Sequence, residues 1–488
     1  MNASILGASM AGWRNKIDQS ISFDGLSIIL FCVVVPFLLG SSTTLFQDGD
    51  VGWHIAAGQW MIDHRQVPFT DPFSYPAFGK PWIAHEWLSE LFMGAAYNIL
   101  GFAGVAVLMS AALAMLALFV GLELRRWLAT SIVAAIIVAM FAVIIPFFHA
   151  RPMVLTWPLL AGWTLVLMRA RDHDKAPPLW LAAVMTLWVN MHASFALGLL
   201  LIGPFALEAL LESRDRVRAF IDWGVFGSVC LLATLINPHS YTALLIPLGA
   251  FASPSITLIQ EFKPTDMTYT PGFELAFLLV VALCFWRGAR LQPMRVLILL
   301  GLLHLALAHM RHQVLFLIVA ALLLARPLGR RTEPSRSFAD VMGFPTDRRW
   351  HFAAVSAVVV LALAVMTSTL ARPPENSFVY PNRALAHVSA AVERTPVLNS
   401  YKFGGPLILR GVRPFIDGRT DAYGEAFVVE YKKLLDGDDA AFANAQARWG
   451  FRWTLVAPSD DKMLAMMDRQ AGWRRIYEDP YAVIHLRN

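Results

Sequence analysis

Long apolar runs alternate with short polar segments over the first 371 residues of the chain. Most of these runs are long enough to cross a bilayer core of about 30 Å as a helix. By the hydropathy criterion the pattern predicts eleven transmembrane helices, at 25–44, 101–122, 129–148, 153–168, 178–194, 196–212, 219–236, 272–286, 294–309, 313–326 and 351–371. A further segment, 85–100, is amphipathic, which is typical of a helix that lies on the membrane surface; the alternative is that it extends the second span.

The last part of the chain, residues 372–488, has a different pattern, with mixed charges, many turns and short apolar runs. Short strand-like and helix-like segments alternate there, which predicts a small α/β domain. The expected fold class is therefore a polytopic α-helical membrane protein, in residues 1–371, followed by a small α/β domain, in residues 372–488. Strands are expected at 396–401, 406–409, 415–416, 453–457 and 481–486, and helices at 383–393, 425–435, 439–449 and 461–470.

Composition and charge agree with a membrane protein. The chain is 57% hydrophobic and only 15% charged, whereas soluble domains carry about 25% charged residues. Lys and Arg are concentrated in alternate loops, which places the N-terminus in the cytoplasm and, with an odd number of spans, the C-terminal domain outside. The basic residues thus serve topology, and no nucleic-acid partner is expected. The lipid bilayer is the expected surrounding.

The first outer loop, residues 45–100, is the most polar stretch near the membrane, and its acids lie where charge is costly. Asp48 and Asp50 flank a glycine directly after the first span. Two such carboxylates can chelate a divalent cation, Mg²⁺ or Mn²⁺, or one can act as a general base. His54 follows Asp50 by one helical turn and shares its face. The alternative is that Asp50 only caps a helix.

Other polar residues cluster at the expected outer ends of later spans. An arginine there can hold a phosphate by charge-assisted hydrogen bonds, or it can simply extend its side chain to the membrane surface. Asparagine and histidine at such positions can also serve only to join neighbouring helices. Within the first loop, Asp71 is flanked by prolines and can cap a turn. The candidate substrate-binding residues are His149, Arg151, Asn190, His192, Arg311, His312, Asp71 and Glu86.

These motifs resemble a known superfamily. The pattern Asp48-x-Asp50-x-x-Trp53-His54, continued by Asp71-Pro72-Phe73-Ser74 and Glu86-Trp87, is similar to that of GT-C-type membrane glycosyltransferases. More narrowly, it resembles the polyprenyl-phosphate-sugar-dependent group of protein mannosyltransferases and aminoarabinose transferases. The later pieces His149-x-Arg151-Pro152, Trp188-x-Asn190-x-His192 and Phe415-Ile416-Asp417-Gly418-Arg419 resemble a poorly characterised bacterial branch.

The resemblance implies an enzyme in the bacterial inner membrane with a periplasmic C-terminal domain. Such an enzyme would move a sugar from a polyprenyl phosphate to a glycan, lipid or protein acceptor, with inversion at the anomeric carbon. It implies Asp50 or Asp48 as the base, with His54 orienting the carboxylate or contacting the acceptor. Arg151 and Arg311 would hold the lipid phosphate. A divalent cation at Asp48 and Asp50 is compatible with this chemistry but not required by it.

Three other function classes stay open from the sequence. A transporter would carry ionisable groups near the bilayer midplane and broken helices in corresponding halves. A polysaccharide polymerase or ligase would use basic groups in a late outer loop, whereas this chain places acids in the first one. A non-catalytic member of the superfamily that helps assemble the cell envelope would keep the architecture without transferring a sugar.

Overall fold

Apolar helices form the first part of the computed structural model, which describes residues 25–40, 43–250, 260–329 and 375–488, with isolated residues at 361, 365 and 373. We number these helices in chain order: α1 Gly25–Gly40, α2 Val51–His64, α3 Trp87–Leu100, α4 Phe102–Trp127, α5 Thr130–Ile144, α6 Pro152–Asp172, α7 Ala182–Val189, α8 Phe195–Glu212, α9 Arg216–Ala233, α10 Thr242–Ala250, α11 Pro271–Arg287, α12 Pro293–Ala308 and α13 Gln313–Leu328.

Ten of the eleven expected spans coincide with these helices, and the eleventh, 351–371, lies outside the described residues. Among the described residues, five helical segments are both long and apolar enough to cross a membrane: Phe102–Trp127, Thr130–Phe147, Pro152–Asp172, Phe195–Glu212 and Met310–Leu328. The chain is therefore a multi-pass membrane protein. The total of eleven spans and the orientation of the termini stay predictions.

Proline sets the start of three helices. Pro152, Pro271 and Pro293 each occupy the first turn of α6, α11 and α12, where the missing N–H is not needed and the fixed φ favours the helix. The residue before Pro152 is Arg151, which is extended, with φ −121° and ψ 153°. This break between α5 and α6 leaves Arg151 outside both helices, facing the first loop.

A network of charged residues joins the C-terminal ends of α6 and α8 to the start of α12. The sequence suggested only basic connecting loops there. Arg295 donates to both oxygens of Glu208, at 3.2 and 3.1 Å, and also pairs with Asp172. Arg171 lies 3.5 Å from Glu208 and 2.5 Å from Glu212. Buried polar groups of this kind must be paired, so the network fixes the relative positions of α6, α8 and α12.

The C-terminal part contains a four-stranded sheet in the order β1-β2-β4-β3. The strands are β1 Val397–Asn399, β2 Trp453–Leu455, β3 Trp473–Glu478 and β4 Val483–Arg487. β1 pairs in parallel with β2, and the other neighbours are antiparallel. The helices are α14 Asn382–Leu385, α15 Ala390–Glu393, α16 Gly404–Leu409, α17 Thr420–Tyr423, α18 Glu425–Leu435, α19 Asp439–Trp449 and α20 Asp461–Arg469.

Several expectations for this part were wrong. The predicted strand at 406–409 is instead helix α16, and 415–416 forms no strand in the described chain. Strand β3 was not predicted, and the expected helix 383–393 is two short helices, α14 and α15. A four-residue apolar run has no periodicity that separates helix from strand, which explains the error at α16. Helices α18, α19 and α20 lie where the sequence predicts them.

Close backbone contacts join the C-terminal part to the first loop. A Cβ on Gly52 of α2 would lie 2.4 Å from the backbone of Gly405, and one on Gly405 would lie 2.0 Å from the Gly49 carbonyl oxygen. Only glycine leaves room for such an approach. One hydrophobic cluster includes Trp53 and Trp82 of the first loop together with Phe415 of the C-terminal part. The two parts therefore share a core rather than lying side by side.

Candidate functional site

Four charged residues from three separate segments meet at one end of the bundle. Nη2 of Arg151 donates to Oδ2 of Asp48 at 2.6 Å and to Oδ2 of Asp50 at 2.8 Å. Its Nη1 donates to Oε2 of Glu261 at 2.9 Å. All four side chains are mostly buried, between 10 and 19% exposed. The structure thus brings together the predicted carboxylates and the predicted arginine, and adds Glu261.

Local hydrogen bonds orient the two carboxylates. Oδ1 of Asp48 accepts from the Asp50 backbone N–H at 2.8 Å, an interaction that favours a turn at this position. Trp53 Nε1 donates to Oδ1 of Asp50 at 3.1 Å. Asp50 precedes α2 but its side chain makes no capping hydrogen bond. The Asp50 carboxylate, which could have capped α2, contacts Arg151 instead.

Burial acts differently on the two acids. It raises the pKa of Asp48, but Arg151 and His149 oppose it and the net shift is downward. For Asp50, burial raises the pKa to about 7; Arg151 opposes this shift, while Asp48 and Glu261 add negative charge that favours it. Asp48 therefore stays ionised, while Asp50 exchanges a proton near neutral pH, the property required of a general base.

The predicted metal site at Asp48 and Asp50 has to compete with Arg151. The same guanidinium nitrogen contacts one oxygen of each carboxylate, which is where a chelated cation would lie. Among the described residues, a different group has three donor atoms close enough together to hold a metal ion. It consists of His54, Glu86 and Glu90. A cation at the Asp48–Asp50 pair stays a prediction.

His54 points away from Asp50 and into this second cluster. Its backbone N–H bonds the Asp50 carbonyl at 3.1 Å, but its Nδ1 lies 3.2 Å from Oε1 of Glu90 and 4.0 Å from Oε2 of Glu86. His192 Nε2 lies 3.3 Å from Oε1 of Glu86. The role expected of His54, orienting the Asp50 carboxylate, is carried in the structure by Trp53.

Burial also dominates the electrostatics of the second cluster. It lowers the pKa of His54 and of His192 well below the usual range, with Arg151 and Arg311 respectively as the next contributions. It raises the pKa of Glu90 well above the usual range, helped by Glu86, and raises that of Glu86 as well. Burial therefore disfavours the charged form of each of these four groups.

Arg311 lies beside the site without a carboxylate partner within 4 Å in the described chain. Its guanidinium carbon is 4.5 Å from the centre of the Phe262 ring, and its Nη2 lies 3.7 Å from Met153 Sδ. Glu261, next to Phe262, is already bound by Arg151. Arg311 is thus a cation that an incoming anion can engage. His312 follows it and is the N-cap residue of α13.

The remaining candidate residues mainly hold the site's framework. His149 Nδ1 lies 3.2 Å from the carbonyl of Thr44. Asn190 accepts from Trp87 Nε1 at 2.7 Å and donates to the backbone carbonyls of Thr186 and Ile236, which joins the first loop to α7 and to the segment after α9. Asp71 accepts from the backbone N–H groups of its own turn, so it has the turn-capping role considered from the sequence.

Asp71 also enters an ion pair that the sequence did not predict. Arg419, from the C-terminal part, donates to Asp71 at 2.6 Å and to Asp417 at 2.9 and 2.7 Å. All three side chains are at most 1% exposed. The Arg419 guanidinium also lies over the rings of Phe73 and Trp82, at 5.0 and 4.9 Å. The C-terminal part is therefore fastened to the loop that carries the site.

We compared the chain with known protein families, curated sequences and solved structures. No protein-family model and no curated protein sequence matches the chain. Among solved structures, the archaeal oligosaccharyltransferase AglB from Archaeoglobus fulgidus, in complex with an inhibitory peptide and a dolichol-phosphate, is similar with a TM-score of 0.57 at 11% identity, over 91% of this chain and 70% of that one. ArnT from Cupriavidus metallidurans, bound to undecaprenyl phosphate, is similar with a TM-score of 0.52 at 13% identity, over 94% of this chain and 97% of that one.

Both proteins are GT-C glycosyltransferases. The chain thus has the GT-C membrane fold, with a small sheet-containing C-terminal part, as its motifs suggested. At this level of identity the likeness concerns the fold, and function has to be argued from the site itself.

Proposed function

We propose that the protein is a membrane glycosyltransferase that moves a sugar from a polyprenyl-phosphate donor to a hydroxyl-bearing acceptor outside the cytoplasm, with inversion. The observation that carries this proposal is the Asp48–Asp50–Arg151–Glu261 cluster, in which one carboxylate of several has a pKa near neutrality. The lipid phosphates bound in the AglB and ArnT structures support a donor of the same class.

Asp50 is the proposed base. It would accept the proton of the acceptor hydroxyl while the acceptor oxygen forms a bond to the anomeric carbon. The bond from that carbon to the phosphate oxygen breaks, and the polyprenyl phosphate leaves with the electron pair. Asp48, ionised and paired with Arg151, would keep the guanidinium in place and is a weaker base.

Arg311 is the proposed partner of the leaving phosphate. The sequence suggested both arginines for this role, but Arg151 already binds three carboxylates, whereas Arg311 has no ion-pair partner within the described residues. A guanidinium binds phosphate oxygens with charge-assisted hydrogen bonds. Such a cation stabilises the negative charge that develops on the leaving group, so the phosphate needs no proton.

A donor panel tests this function. Purified full-length protein in bilayer nanodiscs is incubated with polyprenyl-phosphate-linked hexoses, pentoses and amino sugars and with membrane extracts as acceptor, in the presence and absence of chelator. Release of polyprenyl phosphate coupled to a glycosylated product supports the proposal. If every donor is left intact while a control transferase is active on the same panel, the proposal is wrong.

A further inference from the structure

The cluster beside the proposed base has the composition of a metal site. We infer that His54, Glu86 and Glu90 bind one divalent first-row transition-metal ion, of the Zn²⁺ type, with an open coordination position. This inference rests on the geometry of the three side chains and not on the proposed transfer reaction. It is also distinct from a cation at Asp48 and Asp50.

One pair of donor atoms is already spaced nearly as such an ion requires, and the third donor lies close to them. Zinc is bound at about 2.0–2.2 Å by nitrogen and carboxylate oxygen, so the donors of a tetrahedral site lie about 3.3–3.6 Å apart. Nδ1 of His54 lies 3.2 Å from Oε1 of Glu90 and 4.0 Å from Oε2 of Glu86. One donor atom from each of the three residues lies within 4.8 Å of the others. A small inward movement of Glu86 would complete the three-ligand arrangement.

An unsatisfied buried oxygen points to a missing partner. Glu90 is 1% exposed, and its Oε2 has no hydrogen-bond partner, although its Oε1 contacts His54. Leaving a buried carboxyl oxygen unpaired costs about 1–3 kcal/mol. A metal ion in contact with Glu90 would remove that deficit.

The surrounding charges leave room for a cation. Glu86, Glu90 and Asp421 influence one another as like charges, while Arg151, Arg311 and Arg419 act on the cluster only from beyond ion-pair distance. His85 Nε2 and His192 Nε2, at 3.9 and 3.3 Å from Oε1 of Glu86, are titratable groups at its edge. An ion bound to the deprotonated ligands would offset the negative charge and release protons as it binds.

His192 orients a ligand rather than serving as one. Its Nδ1 accepts from the Ser194 backbone N–H at 3.0 Å, so the ring proton lies on Nε2, which faces Oε1 of Glu86 at 3.3 Å. That contact leaves Oε2 of Glu86 free to face His54. Hydrogen bonds to a ligating carboxylate hold it in place and typically change metal affinity by about 10- to 100-fold.

The donor set selects the class of ion. Mg²⁺ and Ca²⁺ prefer oxygen donors alone, whereas an imidazole with carboxylates suits Zn²⁺, Co²⁺ and similar ions. With three protein ligands, the fourth position is open to water or to a substrate oxygen. His54 follows Asp50 by one helical turn, so the same helix start carries the proposed base and one ligand of the proposed ion.

Metal binding itself is the test, with no sugar present. Full-length protein in detergent is stripped with chelator and titrated with Co²⁺, read by its visible absorption, and with Zn²⁺, read by elemental analysis after gel filtration. We expect one ion per chain in the wild type and in His64→Gln, an exposed histidine on the same helix. His192→Gln should bind about 10- to 100-fold more weakly.

Glu90→Gln and His54→Gln should lose the ion while eluting as the wild type does, and Glu86→Gln provides a second carboxylate variant should either fail to fold. No ion in the wild type, or full occupancy in both Glu90→Gln and Glu86→Gln, would overturn the inference. So would loss of the ion in Asp48→Asn with full binding in Glu90→Gln, because the ion would then belong to the Asp48–Asp50 pair. Metal binding in this assay leaves the proposed transfer function still to be tested. The metal site and the transfer function can therefore fail separately.

Discussion

The backbone of Gly418 lies directly against the carboxylate of Asp50. A Cβ placed on Gly418 would come within 1.8 Å of Asp50 Oδ1 and 2.8 Å of Trp53 Nε1. A residue of the C-terminal part therefore forms one wall around the proposed base. Under the proposed function, the acceptor hydroxyl would reach Asp50 along a path that this wall limits.

Gly418→Ala should move the base. The added methyl group would force the Asp50 carboxylate away from Trp53, and a misplacement of about 1 Å can cost up to about 100-fold in rate. We expect the rate of sugar transfer to fall by about 10- to 100-fold, with the protein still folded. Gly224→Ala is the matched control, because a Cβ there meets nothing within 4 Å. Unchanged transfer in Gly418→Ala would show that the contact does not position Asp50.

The transfer rate should depend on the ionisation of Asp50. Burial raises its pKa to about 7, so the carboxylate form is lost as the pH falls through that value. We expect kcat/KM to level off above about pH 8 and to fall about tenfold per pH unit below about pH 6. Glu261 helps raise this pKa, so Glu261→Gln should move the midpoint to lower pH. A profile that is flat between pH 5 and 8 would contradict the assignment.

Arg311 should determine donor affinity. Removing a guanidinium that bonds a phosphate costs about 1.5–3 kcal/mol, so Arg311→Gln should weaken binding of polyprenyl phosphate by about tenfold or more. Arg287→Gln is the control, because Arg287 also lies over an aromatic ring, that of Trp286, at 5.4 Å. Binding is measured by calorimetry in nanodiscs. Equal affinities for the two variants would remove Arg311 from the donor site.

Arg419 should matter for stability. Arg419→Met leaves the buried carboxylates of Asp71 and Asp417 without their partner, which typically costs about 3–5 kcal/mol. The thermal midpoint, followed by tryptophan fluorescence, should fall clearly. Arg448→Met is the control, because Arg448 is 63% exposed and its contact with Glu430 is long, at 3.8 Å. Such surface pairs contribute about 0–1 kcal/mol. A similar midpoint for both variants would mean that the buried triad does not hold the two parts together.

Sequence patterns could predict the helices and three residues of the site, Asp48, Asp50 and Arg151, for a physical reason. Spans end where polarity begins, so Asp48, Asp50 and Arg151 could be assigned to helix ends, and helix ends at one membrane face converge. Glu261 could not be placed, because it lies in a long connecting segment whose path the pattern does not determine.

Two other site features depend on tertiary contacts that local patterns do not contain. Glu90 lies within an amphipathic helix, where an acid is ordinarily a solvated residue, yet it is buried against His54. Arg419 pairs with Asp71 across 348 positions of sequence. Nothing in the local motif Phe415-Ile416-Asp417-Gly418-Arg419 indicates this partner.

The rate of sugar transfer in Asp50→Asn tests the central claim most directly. The change keeps the shape of the side chain but removes its ability to accept a proton, and a positioned base contributes about 100- to 10,000-fold. With a donor and acceptor identified on wild-type protein, Asp50→Asn should be slower by at least about 100-fold. Asp63→Asn, an exposed acid on the same helix, should transfer at the wild-type rate. Full activity in Asp50→Asn would contradict the assignment of this carboxylate as the base.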